Sequence, residues 1–144
     1  MIRFLGAALG SLGFGFIFHI RGNKLWFAAL TGGIGGLVYE LVLGSHSNVV
    51  ALFFASVVIS IFSEIFARVF KCPVTTFLIS SLIPLVPGGG MYYTMLEIVQ
   101  NDINGAILKG IDTISQACSI AVGCILISSI MKMVNQYKIK GKKQ

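Results

Sequence analysis

The chain has 144 residues, of which 56% are hydrophobic and only 11% charged, with a mean hydropathy of +0.89. A soluble domain usually carries about 25% charged residues, so this composition cannot clothe a water-facing surface and implies an integral membrane protein. The net charge of +6 does not imply nucleic acid, because five of the eleven basic residues (Lys132, Lys138, Lys140, Lys142, Lys143) crowd the last thirteen positions and the rest punctuate apolar blocks. That is a topology signal with a juxtamembrane basic tail, not a phosphate-tracking face.

Five apolar blocks follow in chain order, each close to the roughly 20 residues that cross a bilayer. They cover residues 2–20, 25–43, 49–70, 74–99 and 111–134. Together they define a transmembrane domain over residues 1–136, with a basic cytoplasmic tail at 137–144. Unpaired backbone in lipid costs several kcal/mol, and the blocks are too few for a closed barrel. The expected fold is therefore all-α: a polytopic membrane bundle of about five helices. The first block is read as a retained span rather than a signal peptide, since basic residues flank both its ends and no small-residue cleavage site follows it.

Lysine and arginine alternate between the connections as five spans require. Arg21 and Lys24 follow the first span, Arg68 and Lys71 close the third, and the lysine tail follows the fifth. The loop "GSHSN" after the second span has no basic residue. The positive-inside rule then expects the N-terminus outside and the C-terminus in the cytoplasm.

Small residues recur at four-residue spacing in the first, second and fifth spans, as Gly6/Gly10, Ala28/Gly32/Gly36 and Ser115/Ser119/Gly123. Such faces let helices approach closely where lipid supplies no hydrophobic force between them. They serve packing within the bundle or against another chain, including a second copy.

Polar groups inside the spans are few. Ser56, Ser60, Glu64 and Arg68 line one face of the third span. Glu64 and Arg68 read either as a structural i, i+4 pair or as part of a polar pathway. Glu40 and Glu97 are placed to reach an interface, as are His19 and the aromatic-belt residues Trp26 and Tyr39. Cys72, Cys118 and Cys124 show neither metal spacing nor a disulfide framework and read as small apolar residues. No cofactor and no metal is expected.

The fourth span contains "SSLIPLVPGGGMYYTM", residues 80–95. Pro84 cannot donate to the carbonyl of Ser80, nor Pro87 to that of Ile83. Val74 to Val86 makes about 20 Å of helix, so the break at Pro84–Gly90 falls inside a core about 30 Å thick. Broken backbone at that depth needs protein or water beside it. A second half-helix over residues 91–99 would point its free N–H groups inward, where they suit a carboxylate. The candidate substrate site is therefore Pro84, Pro87, Gly88, Gly89 and Gly90, with hydroxyls from Tyr92, Tyr93 and Thr94. Candidates for proton coupling or a polar pathway are Glu64, Arg68, Glu40 and Ser60.

These residues also carry a resemblance. The segments "GSLGFGFIFHI", "LTGGIGG" and "ARVFKCPVTTFLISSLIPLVPGGGMYYTM", with the last span, resemble the small ThrE-type membrane subunit of the threonine/serine exporter family. The most specific part is Pro84, Pro87 and Gly88 followed by Tyr93, Thr94 and Met95. The resemblance implies half of a plasma-membrane transporter working with a larger membrane subunit. It implies export of threonine and serine, or of a dicarboxylate such as succinate. No GxxxxGK[ST] loop is present and no nucleophile–base pair is visible, so neither ATP hydrolysis nor other catalysis is expected. The reading from another class is a structural or assembly subunit that transports nothing itself, with the broken span as a hinge.

Overall fold

A computed structural model describes the backbone of residues 2–20 and 22–140. Arg21 and the tail lysines Lys142 and Lys143, which entered the charge count above, lie outside the described residues. Among the described residues every regular element is helical. The order is α1 (Ile2–Ile17), α2 (Asn23–Leu43), α3 (Asn48–Val69), α4 (Val74–Leu82), a 3₁₀ turn (Ile83–Leu85), α5 (Gly88–Val99) and α6 (Ile103–Lys140).

Three helices, α2, α3 and α6, are long and apolar enough to cross a membrane, and α4 and α5 pass the same test only as a pair, bent by 49° at the break, so the described residues hold three such spans, or four if the pair counts as one. The first expected span, α1, is apolar but has 16 residues, about 24 Å of helix. It stops short of Ile20 because the chain turns left-handed at His19 (φ 55°). There Ile20 N–H donates to Gly15 carbonyl at 2.9 Å and His19 N–H to Phe16 carbonyl at 3.0 Å, closing the helix end as a Schellman motif. The same closure recurs after α3, where Lys71 has φ 49°, and after α5, where Asn101 has φ 60°. Cys72 N–H reaches Ala67 carbonyl at 3.0 Å, and Asp102 N–H reaches Glu97 carbonyl at 2.9 Å. All three left-handed positions use a residue other than glycine.

α6 starts eight residues before the expected fifth span. Asp102 sets that start: Gly105 N–H donates to its Oδ1 at 3.0 Å, satisfying one of the first-turn amides. The helix also runs on to Lys140, through the first residues of the expected tail.

The small-residue faces are used within the chain. A Cβ at Gly32 would strike the Ser11 hydroxyl, so α1 and α2 meet at backbone distance. A Cβ at Gly123 would strike the Ser56 hydroxyl, which does the same for α3 and α6. Ser81 of α4 donates to the carbonyl of Ala28 in α2 at 3.0 Å. The core is thin and lies where α2, α3 and α4 meet. Leu52, Ala55, Ile59 and Leu85 form one cluster, and Ala28, Ala67 and Phe77 another, ringed by Phe66 and Phe70. α5 stands apart: it packs along the first third of α6 and none of its residues is buried.

Candidate functional site

The break is built as its prolines require. Ile83–Leu85 tightens into a 3₁₀ turn, Val86 is extended (ψ 133°), and Pro87 ends the irregular segment at ψ 56°. Gly88 then opens α5 directly. Gly88, Gly89 and Gly90 are helical, and none has a positive φ. What these glycines supply is the absence of a side chain. A Cβ at Gly88 or Gly89 would meet nothing within 4 Å, whereas Gly90 lies against the Thr113 hydroxyl of α6.

A cavity of about 330 Å³ lies against this break. Gly6 and Ala7 of α1, Gly36 and Tyr39 of α2, Asn48 and Leu52 of α3, residues 84–87, and Gln116 of α6 line it. Its polar groups are held in pairs. The Tyr39 hydroxyl donates to Asn48 Oδ1 at 2.7 Å, and Gln116 Nε2 donates to Asp112 Oδ2 at 2.8 Å. Gln116 is 8% exposed. A second hollow of about 300 Å³, almost wholly apolar, runs between α5 and α6 past Met91, Thr94, Met95, Thr113 and Ile114. Val86 and Pro87 line both spaces, so the break is the wall between them.

The expected site residues separate into groups. Pro84 and Pro87 line the cavity. Gly88 and Gly89 are exposed next to it in sequence, at the N-terminus of α5, which has no side-chain cap and no acidic residue in its first turn. That leaves the positive end of the helix uncompensated by the chain itself. Thr94 turns its hydroxyl back to Gly90 carbonyl at 2.8 Å and faces the apolar hollow. Tyr92 and Tyr93 are 64% and 52% exposed and are not among the cavity-lining residues. Tyr93 lies under Lys109, whose Nζ is 4.9 Å from the ring centre and 3.0 Å from Glu97 Oε1.

Glu64, Arg68, Glu40 and Ser60 do not line the cavity. Glu64 Oε2 and Arg68 Nη2 are 3.7 Å apart, and Arg68 also reaches the carbonyl of Met131 at 3.5 Å. Asn48 and Glu64 are 16 residues apart along α3, about 24 Å of helix, so this pair lies toward the other end of the bundle. Ser60 is buried between α3 and α6, facing Cys124. Glu40 is exposed near the end of α2.

Sequence reasoning missed Asn48, Gln116 and Asp112, and took Tyr39 for an interfacial aromatic. Gln116 carried a readable signal, a neutral amide inside the fifth apolar block. Asn48 carried none, because a polar residue at a span's edge is ordinary.

The family model described as "Threonine/Serine exporter, ThrE" matches residues 3–130, nearly the whole chain. The chain belongs to the ThrE family. This is a transporter family, and membership accords with the apolar helices and the broken span of a membrane protein. An uncharacterized protein of Haemophilus influenzae is 28% identical over 97 residues, which are 67% of this chain but 33% of that relative. The match thus spans about a third of the relative's length. No solved structure matches the chain.

Proposed function

We propose that this ThrE-family chain is one subunit of a secondary transporter that exports small carboxylate-bearing metabolites across the plasma membrane. Threonine and serine are the leading substrates, with a dicarboxylate such as succinate as the other. A larger membrane subunit of the same family completes the pathway. The N-terminus lies outside and the basic C-terminus in the cytoplasm. The observation that carries this reading is the cavity of about 330 Å³ at the Pro84–Pro87 break. It holds the polar groups of Tyr39, Asn48 and Gln116 in a mostly apolar wall, it lies at a helix interruption, and the uncapped start of α5 adjoins it. A carboxylate there accepts from the open first-turn amides of Gly89 and Gly90, while Gly88, whose own N–H donates to Val86 carbonyl at 2.7 Å, keeps the approach clear, with Tyr92, Tyr93 and Thr94 lining it on α5. The stripe of Ser60, Glu64 and Arg68, with Glu40, serves as a polar pathway for a coupled proton.

Flux into vesicles tests this directly. Labelled threonine, serine and succinate are offered to vesicles holding this chain, the larger subunit, or both. Uptake that needs both chains is the expected result. A second reading, an assembly subunit, draws on the α5 surface, where Met91, Met95 and Val99 are exposed outside the bundle. Full flux with the larger subunit alone would establish that reading instead.

A further inference from the structure

The cavity holds two side-chain amides, and each is oriented by a partner. Asp112 is a carboxylate, which accepts and does not donate. The amide that meets it at 2.8 Å must therefore present its Nε2, which leaves Gln116 Oε1 for the cavity. Gln116 lies one helical turn beyond Asp112 and is 8% exposed, so it has little freedom to turn elsewhere. Across the cavity, the Tyr39 hydroxyl occupies Asn48 Oδ1, which leaves the Asn48 NH₂ as the donor. Among the described residues, none that lines the space carries a charge.

We propose that Asn48 and Gln116 are substrate-contacting, selectivity-determining residues of the cavity. Asn48 donates to the solute's carboxylate, and Gln116 accepts from its ammonium or hydroxyl group. Asp112 is a positioning residue that fixes which atom of the Gln116 amide faces the solute, and Tyr39, bonded to Asn48 Oδ1 at 2.7 Å, holds the Asn48 amide in place. The assignment rests on the transport reading above and deepens it, because it names the wall opposite the α5 terminus. A buried acceptor at Gln116 and a half-buried donor at Asn48 favour a solute that brings both complementary groups. A site built to bond a polar group discriminates strongly against solutes that lack it.

The test uses the full chain with its larger subunit in vesicles, with labelled L-serine and succinate as probes. Gln116→Met removes the acceptor at nearly constant length. It should raise the half-saturating serine concentration about tenfold, the loss of one hydrogen bond, with a smaller change in maximal rate. Asp112→Ala should shift the same constant in the same direction. Asp112→Asn, which offers a donor beside the acceptor and so holds Nε2 only part of the time, should restore it only in part. Cys118→Ser, at an exposed position of α6, should change nothing. In parallel, serine should raise the melting temperature of the purified full chain in detergent, and Gln116→Met should remove that rise. Flux in the wild type with an unchanged constant in Gln116→Met overturns the assignment and leaves transport standing. A melting shift lost in Gln116→Met, without wild-type flux, supports the assignment and overturns the transport reading. Neither flux nor shift in the wild type overturns both.

Discussion

At the scale of single residues, glycine does two different jobs in this chain, and substitution separates them. Gly32 lies against Ser11, so any side chain there forces α1 from α2. Gly32→Val should cost about 1–3 kcal/mol, as overpacking does, and lower the unfolding midpoint of the detergent-solubilised protein. Gly88 and Gly89 face open space, with nothing within 4 Å of an added Cβ. Leucine at both should leave membrane insertion and the melting midpoint close to wild type. Export should nonetheless fall by at least about tenfold, because a side chain there shields the first-turn amides from a carboxylate. Export at the wild-type rate in that double variant would remove the α5 terminus from the site. The residue scale is also where reading the sequence fell short. Three glycines in a row leave the backbone free to turn, yet among the described glycines only Gly22, elsewhere in the chain, has a positive φ (72°). Left-handed turns fall instead on His19, Lys71 and Asn101. Hydrogen bonds across each helix end fix those turns, and such bonds depend on where the helix stops rather than on residue type alone.

At the scale of elements, the interruption in the fourth span was legible because proline acts locally. It lacks a donor whatever surrounds it. The angle was not legible. The 49° bend arises because α4 is anchored in the core through Phe77 and the 3₁₀ turn through Leu85 while α5 packs on α6. Pro84→Ala with Pro87→Ala restores both missing donors and lets the helix run on. The ends of α4 and α5 should then separate by about 3 Å, since two segments of about 18 Å each would approach a straight line. Spin labels at Thr75 and Val99 would report the change, and export should fall as the cavity wall closes. An unchanged distance would show that α6 rather than proline holds the bend. The start of α6 illustrates the converse. Hydropathy placed it at Ile111, but Asp102 caps it eight residues earlier. A single acceptor at a helix start decides a boundary that an apolar average blurs.

At the scale of the whole molecule, the apolar stretch of α6, Ile103–Asn135, has 33 residues, about 50 Å of helix against a hydrocarbon core of about 30 Å. Ser119 donates to Val49 carbonyl at 2.6 Å, which sets α6 level with the start of α3. The residues of α6 before Ser119 therefore extend past that level, with α5 along them. This places the cavity, through Asn48, near one end of the bundle, the end shared by the α3 start and the α2 terminus. On the proposed topology that is the outer end. A cysteine introduced at Ser45, in the loop between α2 and α3, should react with an impermeant thiol reagent in intact cells. A cysteine at Asn135 should react only after permeabilisation. The reverse pattern would invert the orientation and place the cavity on the cytoplasmic side.

Composition and hydropathy by themselves determined the membrane class and the helical fold, the two prolines determined the interrupted fourth span, and short quoted motifs carried the family resemblance. Each of these depends on local chemistry: hydropathy, a missing donor, or a short motif. The tertiary structure alone decided that Tyr39, Asn48 and Gln116, from three helices and the last of them far from the other two in sequence, share one cavity at that interruption. It also decided that Glu64 and Arg68 lie about four turns from it along α3. Neither fact can be read from one helix, because a cavity is defined by the register between helices. That register is set here by backbone contacts such as those at Gly32 and Gly123, where the partner across the contact, and not the glycine, carries the information.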